Sequence, residues 1–227
     1  MIVSVHLADL GKRRGLRFLR QSSRTRATPG LRYAALTTAA PLSDRVLAKL
    51  QLTSRVGLIA AWEDDSALAE QLRDGWRVRL APTHIFGAWP QMDGLVDEQT
   101  PMADDEAAAV LTIGRLRLSQ TRRFMRASAA AERLALRSPA MLAATALVRP
   151  PTLVATFSLW RSTREMRAYA SGGDGPEHVV ASRAHAAKPF HHESAFIRFR
   201  PYDAQGSWQG VDGSFSAAGQ EVAAKTA

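Results

Sequence analysis

The sequence predicts an α+β fold: two ferredoxin-like halves in tandem, forming an α+β barrel within one chain. Three observations predict it. The 227 residues read as one half-domain written twice. Each copy runs strand, helix, strand, strand, helix, strand, the order of an antiparallel sheet carrying helices on one face. The matching segments lie roughly one hundred residues apart, a period that indicates a duplicated domain rather than a solenoid.

The repeat is carried by particular residues. Val56-Gly-Leu-Ile-Ala-Ala-Trp62 matches Val154-Ala-Thr-Phe-Ser-Leu-Trp160, and both runs lead into a helix. Upstream, Val3 to Leu7 followed by Leu16-Arg-Phe-Leu-Arg20 matches Ala109 to Ile113 followed by Arg122-Arg-Phe-Met-Arg126. Downstream, Gly87-Ala-Trp89 matches Gly206-Ser-Trp208. The elements follow in order. Ile2 to Leu7 alternates as a half-buried strand does. Residues 12–22 fit a basic helix with Leu16 and Leu19 on one face, and Leu31 to Thr38 is a second strand. Val56 to Trp62 is apolar or small throughout, which suits a strand covered on both faces. Asp64 caps a helix over 66–72, and Trp76 to Leu80 is a fourth strand. Residues 91–106 are acidic and read as the linker between half 1 (1–90) and half 2 (107–208). In half 2, 107–113 is a strand, 119–136 a helix, 141–148 a short apolar run and 152–160 a strand. Ser162-Thr-Arg-Glu165 is a capping box. Glycines and Pro176 then open an insert helix to about residue 187, and Ser194 to Phe199 is the last strand. Residues 209–227 read as a disordered tail. Two sheets packed face to face would leave a ligand cavity between them.

Composition bounds the function. No run of eighteen apolar residues is present, so no transmembrane helix is expected. The opening strand does not read as a signal peptide, and a cytoplasmic location is the expectation. Zero cysteines exclude disulfides, thiolate metal ligands and a thiol nucleophile. The net charge of +9 and pI near 10.9 invite a nucleic-acid reading. It is set aside, because the excess is nearly all Arg and no recognition motif accompanies it. Attraction to anionic ligands, or peripheral association with a membrane surface, is what the charge favours. No phosphate-binding loop, dinucleotide fingerprint or nucleophile elbow is present.

The second copy carries a segment the first lacks, Gly175 to His192, with four of the six histidines. Around it the chain resembles the spheroidene monooxygenases. The residues that carry the resemblance are Thr156-Phe-Ser-Leu-Trp160, Met166, Tyr169-Ala170, His178, Phe190, Glu193, Phe196 to Phe199 and Gly206-Ser-Trp208, with Gly57-Leu-Ile-Ala-Ala-Trp62 in the first half. The chain departs from that pattern by having His185, His191 and His192 after His178, and by Ala-rich sequence in 138–151 where the family is glycine-rich.

The resemblance implies a dimeric-α+β-barrel-type fold and a haem b (iron) cofactor. It also implies oxygenation of an apolar small molecule. Electrons would come from an external donor protein, since the chain has no flavin or iron–sulfur signature. Without Cys, the axial donor would be His, Tyr or Met. His178 matches the family histidine and is the candidate iron ligand, with Glu177 or Glu193 to orient its other ring nitrogen. A solvent-facing histidine at a helix N-terminus is the plainer alternative. His185 lies about 10.5 Å along the same helix and is the fallback ligand. Dioxygen would bind opposite, in the cavity between the sheets. Trp160 and Phe157 are candidate cofactor-lining residues; core packing is the competing role for both, as it is for Trp62 and Phe199. Arg122, Arg123 and Arg126 either meet haem propionates or form a solvated helix face. His191 and His192 point opposite ways on a strand and make no zinc site. His84 reads as a loop residue and His6 as a core histidine. A haem enzyme of dehydratase or peroxidase type, and a cofactor-free barrel binding a small ligand, are the alternative functions. The oligomeric state is left open.

Overall fold

Eight strands, each with an apolar inward face, close on one another into a barrel. The computed structural model describes residues 1–20, 28–42, 54–63, 75–96, 99–171 and 189–212. Half 1 contains β1 (Ile2–Asp9), α1 (Gly11–Arg20), β2 (Leu31–Pro41), β3 (Arg55–Trp62) and β4 (Trp76–Ala88). Half 2 contains β5 (Ala108–Leu116), α2 (Thr121–Arg137), β6 (Met141–Arg149), β7 (Leu153–Trp160), α3 (Thr163–Ala170) and β8 (His191–Gln205). The order around the barrel is β1-β3-β2-β6-β7-β5-β8-β4, antiparallel at every step. Each half is therefore a ferredoxin-like sheet. The halves join edge to edge along β2–β6 and β4–β8.

The duplication is visible in the register. Ile2 faces Trp62 as Ala108 faces Trp160. Both second strands slip register at the same place, between Leu31 and Tyr33 and between Met141 and Ala143. The seams join equivalent positions: Thr38 lies opposite Val148, and Ala81 opposite Arg200. An approximate two-fold axis thus passes through both seams.

Eight strands make a barrel just wide enough for side chains to fill. Val5, Ile59, Leu111, Leu147, Phe157 and Phe199 turn inward and are fully buried. This corrects the expectation of an open cavity between two facing sheets, and with it the dioxygen pocket placed there. Edge-to-edge closure brings the inward rows together and packs them. Trp89 closes one end against Tyr33, and Trp208 the other against Trp76 and Phe157.

Several elements differ from expectation. β4 and β8 are 13 and 15 residues long, because each must pair along a seam as well as within its half. His84 consequently lies on β4, not in a loop. α1 buries Gly15 and Phe18, leaving Leu16 exposed. The segment between the halves carries buried Met92, Leu95 and Met102. Past Trp208, a bridge to Val211 holds the chain, and the Gln209 amide pairs with the Ala144 backbone. The capping box forms as expected: Ser162 Oγ accepts from the Glu165 amide at 3.2 Å and donates to its carboxylate. The expected helices over 66–72 and 175–187, and the tail beyond 212, lie outside the described residues. No described helix is long and apolar enough to cross a membrane.

Candidate functional site

The two halves differ most on the outer face of the sheet, where helices should cover it. In half 1, one cross-strand row runs Arg77–His6–Leu58–Leu36. His6, Leu58 and Leu36 are buried, packed with Phe18 of α1 and Trp62. The equivalent row in half 2 runs Phe86–Phe196–Thr112–Thr156–Ala146, five strands wide. At about 4.8 Å per strand it spans roughly 19 Å. Thr112, in the middle of a central strand, is exposed, and Thr156 and Phe196 are half-exposed. Phe86 is 57% exposed with its ring 6.3 Å from that of Phe196. α2 covers only the far side of this face, over Ala144 and Ala146. α3 covers the near end, where Trp160, Met166 and Tyr169 pack. Among the described residues, this leaves an open shelf with an aromatic edge and a hydroxyl-bearing floor.

Polar groups border it. The adjacent row places His84 opposite Arg198, and Arg198 opposite Val110. His84 Nε2 and Arg198 Nε are buried without a hydrogen-bond partner. Burial lowers the pKa of both, each reinforced by a neighbouring arginine: Arg198 for His84, Arg167 for Arg198. His84 also has a side-chain hydrogen bond with Gln99, which opposes its shift. Buried polar atoms are normally satisfied, so the unpartnered Arg198 Nε beside this face suits a bound polar group. A guanidinium is well matched to a carboxylate.

The expected site residues are distributed as follows. His178, His185 and Glu177 lie outside the described residues. Phe157 points into the barrel against Trp76 and Trp208, whereas Trp160 points outward beneath α3. Three residues apart on one strand, they face opposite sides and do not line one site. The Trp160 and Trp62 indoles donate to Ser158 and Ser4 at 2.9 Å, and both rings are core. Glu193 is held by Arg115. His191 packs between Gly114 and Phe124, while His192 is exposed. Arg122 and Arg126 are exposed, and Arg123 lies over the Phe190 ring at 4.5 Å. No group of three His, Asp or Glu is placed to hold a metal among the described residues. Sequence reasoning missed Thr112, Phe86 and Arg198. The available signal was Thr112 itself, a hydroxyl in an otherwise apolar central strand.

Among the described residues, fold and shelf together define a duplicated ferredoxin-like barrel with one helix-covered outer face and one left open. The comparisons then narrow the class. The chain is 32% identical over 171 residues to spheroidene monooxygenase of Rubrivivax gelatinosus, covering 69% of this chain and 64% of that protein. It is 24% identical over 169 residues to spheroidene monooxygenase of Cereibacter sphaeroides, covering 68% and 52%. The matches thus span about half to two thirds of the length of those relatives. The chain is a distant homologue of spheroidene monooxygenases. No protein-family model matches it. Among solved structures, an anthrone oxidase-like protein aligns over 93% of this chain and 95% of its own, with TM-score 0.37 and 10% identity. A monooxygenase-like protein from Listeria innocua aligns over 86% and 92%, with TM-score 0.31 and 11% identity.

Proposed function

We propose that this protein is a haem-binding monooxygenase-like enzyme acting on an apolar small molecule, with haem seated on the open outer face of half 2. The observation that carries the reading is the uncovered central strand at Thr112, in a chain homologous to monooxygenases. The shelf suits a planar apolar group: Phe86 and Phe196 offer ring faces, and Thr112 and Thr156 are too small to obstruct it. Arg198 would hold a propionate. His178, in the segment joining α3 to β8, would supply the axial nitrogen, with His185 as the fallback. Bound haem would supply dioxygen activation, and electrons would come from a separate donor protein. The protein's own contribution is to seat the cofactor and hold an apolar substrate beside it, away from water. A carotenoid-like hydrocarbon is the substrate class suggested by the relatives' names.

An absorption spectrum with and without added haem tests this. A Soret band should appear, and His178→Ala should weaken or abolish it while His185→Ala, His191→Ala and His192→Ala leave it. Thr112→Trp, which fills the shelf, should reduce haem uptake in a folded protein. No Soret band after haem supplementation would favour a cofactor-free barrel. Full haem occupancy in all four histidine variants would move the ligand out of the insert.

A further inference from the structure

The two seam cavities are pseudo-equivalent, and they differ in charge and in what fills them. Near the two-fold axis the β2–β6 ladder runs from Thr38↔Val148 to Pro41↔Thr145 on one side. Symmetry would continue it on the other side, pairing Ala35 to Thr37 with Arg149 to Pro151. It stops there, because Pro150 and Pro151 have no N–H to donate. The strands part into a cavity of about 520 Å³ between Tyr33–Ala35 and Arg149–Leu153.

Its counterpart of about 420 Å³ surrounds Ala39–Pro41 and Arg55. Registers equate Arg149 with Ala39 and Arg115 with Asp9. In the counterpart, Asp9 lies 4.0 Å from Arg55, a pair that neutralises itself. Gln209 also plugs that seam, its amide accepting from the Ala144 N–H at 3.1 Å and donating to the Ala144 carbonyl at 3.0 Å. In the larger cavity the residue equivalent to Ala144 is Ala34, and the residue equivalent to Gln209 is Pro90, which has no side-chain amide.

Charge replaces the plug. Arg115 and Arg149 occupy inward-facing positions at this end of the barrel, and Arg32 stands at the rim. Arg115 is shared with Glu193, and Arg32 with Glu63 at 3.5 Å. Arg149 is half-buried and makes no ion pair among the described residues. The lining is mostly polar, and its exposed apolar surface comes from Pro150 and Pro151, with Tyr33 and Leu153 buried behind it.

We infer that this seam cavity binds a small organic acid, its carboxylate taken by Arg149 and the Ala34 N–H where the counterpart seats the Gln209 amide, and its apolar body against the exposed Pro150 and Pro151. The site is separate from the outer shelf of half 2 and does not rest on the haem reading. Calorimetric titration of the full chain with octanoate, and separately with inorganic phosphate, tests it. Octanoate should bind, and more tightly than phosphate. Arg149→Ala should weaken it at least tenfold, and Arg149→Lys, which keeps the charge, less. Arg55→Ala, in the counterpart cavity, should leave it unchanged. Absence of octanoate binding at millimolar concentration, equal weakening by Arg149→Ala and Arg55→Ala, or phosphate binding as tightly as octanoate would each overturn the assignment.

Discussion

His6 and Thr112 occupy the same position in the two halves, and their different fates show what burial does to a residue. His6 is fully buried, with Nε2 3.0 Å from Ser4 Oγ, which also accepts from the Trp62 indole. Desolvation, and secondarily the charge of Arg77, lowers its pKa to about 4. The folded state therefore resists a proton that the unfolded chain takes up near 6.5. The stability this represents is present above pH 6.5 and is lost as pH falls towards 4. At about 1.4 kcal/mol per unit it is on the order of 3 kcal/mol. Urea unfolding should show a falling midpoint from pH 7 to 4.5, with a shallower fall in His6→Gln. His84 is shifted in the same direction, so the variant removes only part of the slope. An unchanged slope in His6→Gln would show that His6 titrates normally. The core role of His6 was readable from its place in an alternating strand. The exposure of Thr112 was not, since it depends on which helices reach that strand.

At the scale of elements, local signals were reliable where the chemistry is local. The Ser162–Glu165 capping box is a matter of four residues, and it forms as read. The repeated Gly-x-Trp marks the end of β4 and of β8, and both glycines need positive φ, 82° at Gly87 and 84° at Gly206. A Cβ at Gly87 would meet the Ser194 carbonyl at 2.3 Å, and one at Gly206 the Gly75 carbonyl at 2.6 Å. Gly94 also has positive φ but has nothing within 4 Å. Alanine at Gly87 or Gly206 should therefore cost on the order of 2–3 kcal/mol in chemical denaturation, and at Gly94 about 1 kcal/mol. Equal costs at all three would mean that backbone strain alone matters. Where an element's face depends on its neighbours, the reading slipped. α1 buries Phe18 rather than Leu16, because Phe18 is the side chain that reaches the outer-face cluster of Leu36, Val56, Leu58 and Trp62.

Across the whole molecule, the decisive fact is closure. Each half leaves two unpaired edges, β2 and β4 or β6 and β8, and an inward apolar face that only the other half covers. A separately expressed half 2 should not persist as a folded monomer, because open edges and a bare apolar face favour pairing with another copy. Sedimentation and circular dichroism should find it either unfolded or self-associated. A folded, monomeric half would show that closure is dispensable.

The sequence by itself determined the duplication, the order of strands in each half, the Ser162 cap, and the histidine-bearing segment that the second copy has and the first lacks. These rest on alternation, spacing and near-neighbour chemistry, all of which are written in one dimension. Tertiary structure decided that the sheets join edge to edge, that the barrel is filled, that Phe157 and Trp160 face apart, and that the described residues leave one outer face open. Those outcomes depend on residues far apart in the chain. Pro150 opens a gap only because β2 lies opposite, and Thr112 is exposed only because α2 and α3 settle to either side of it.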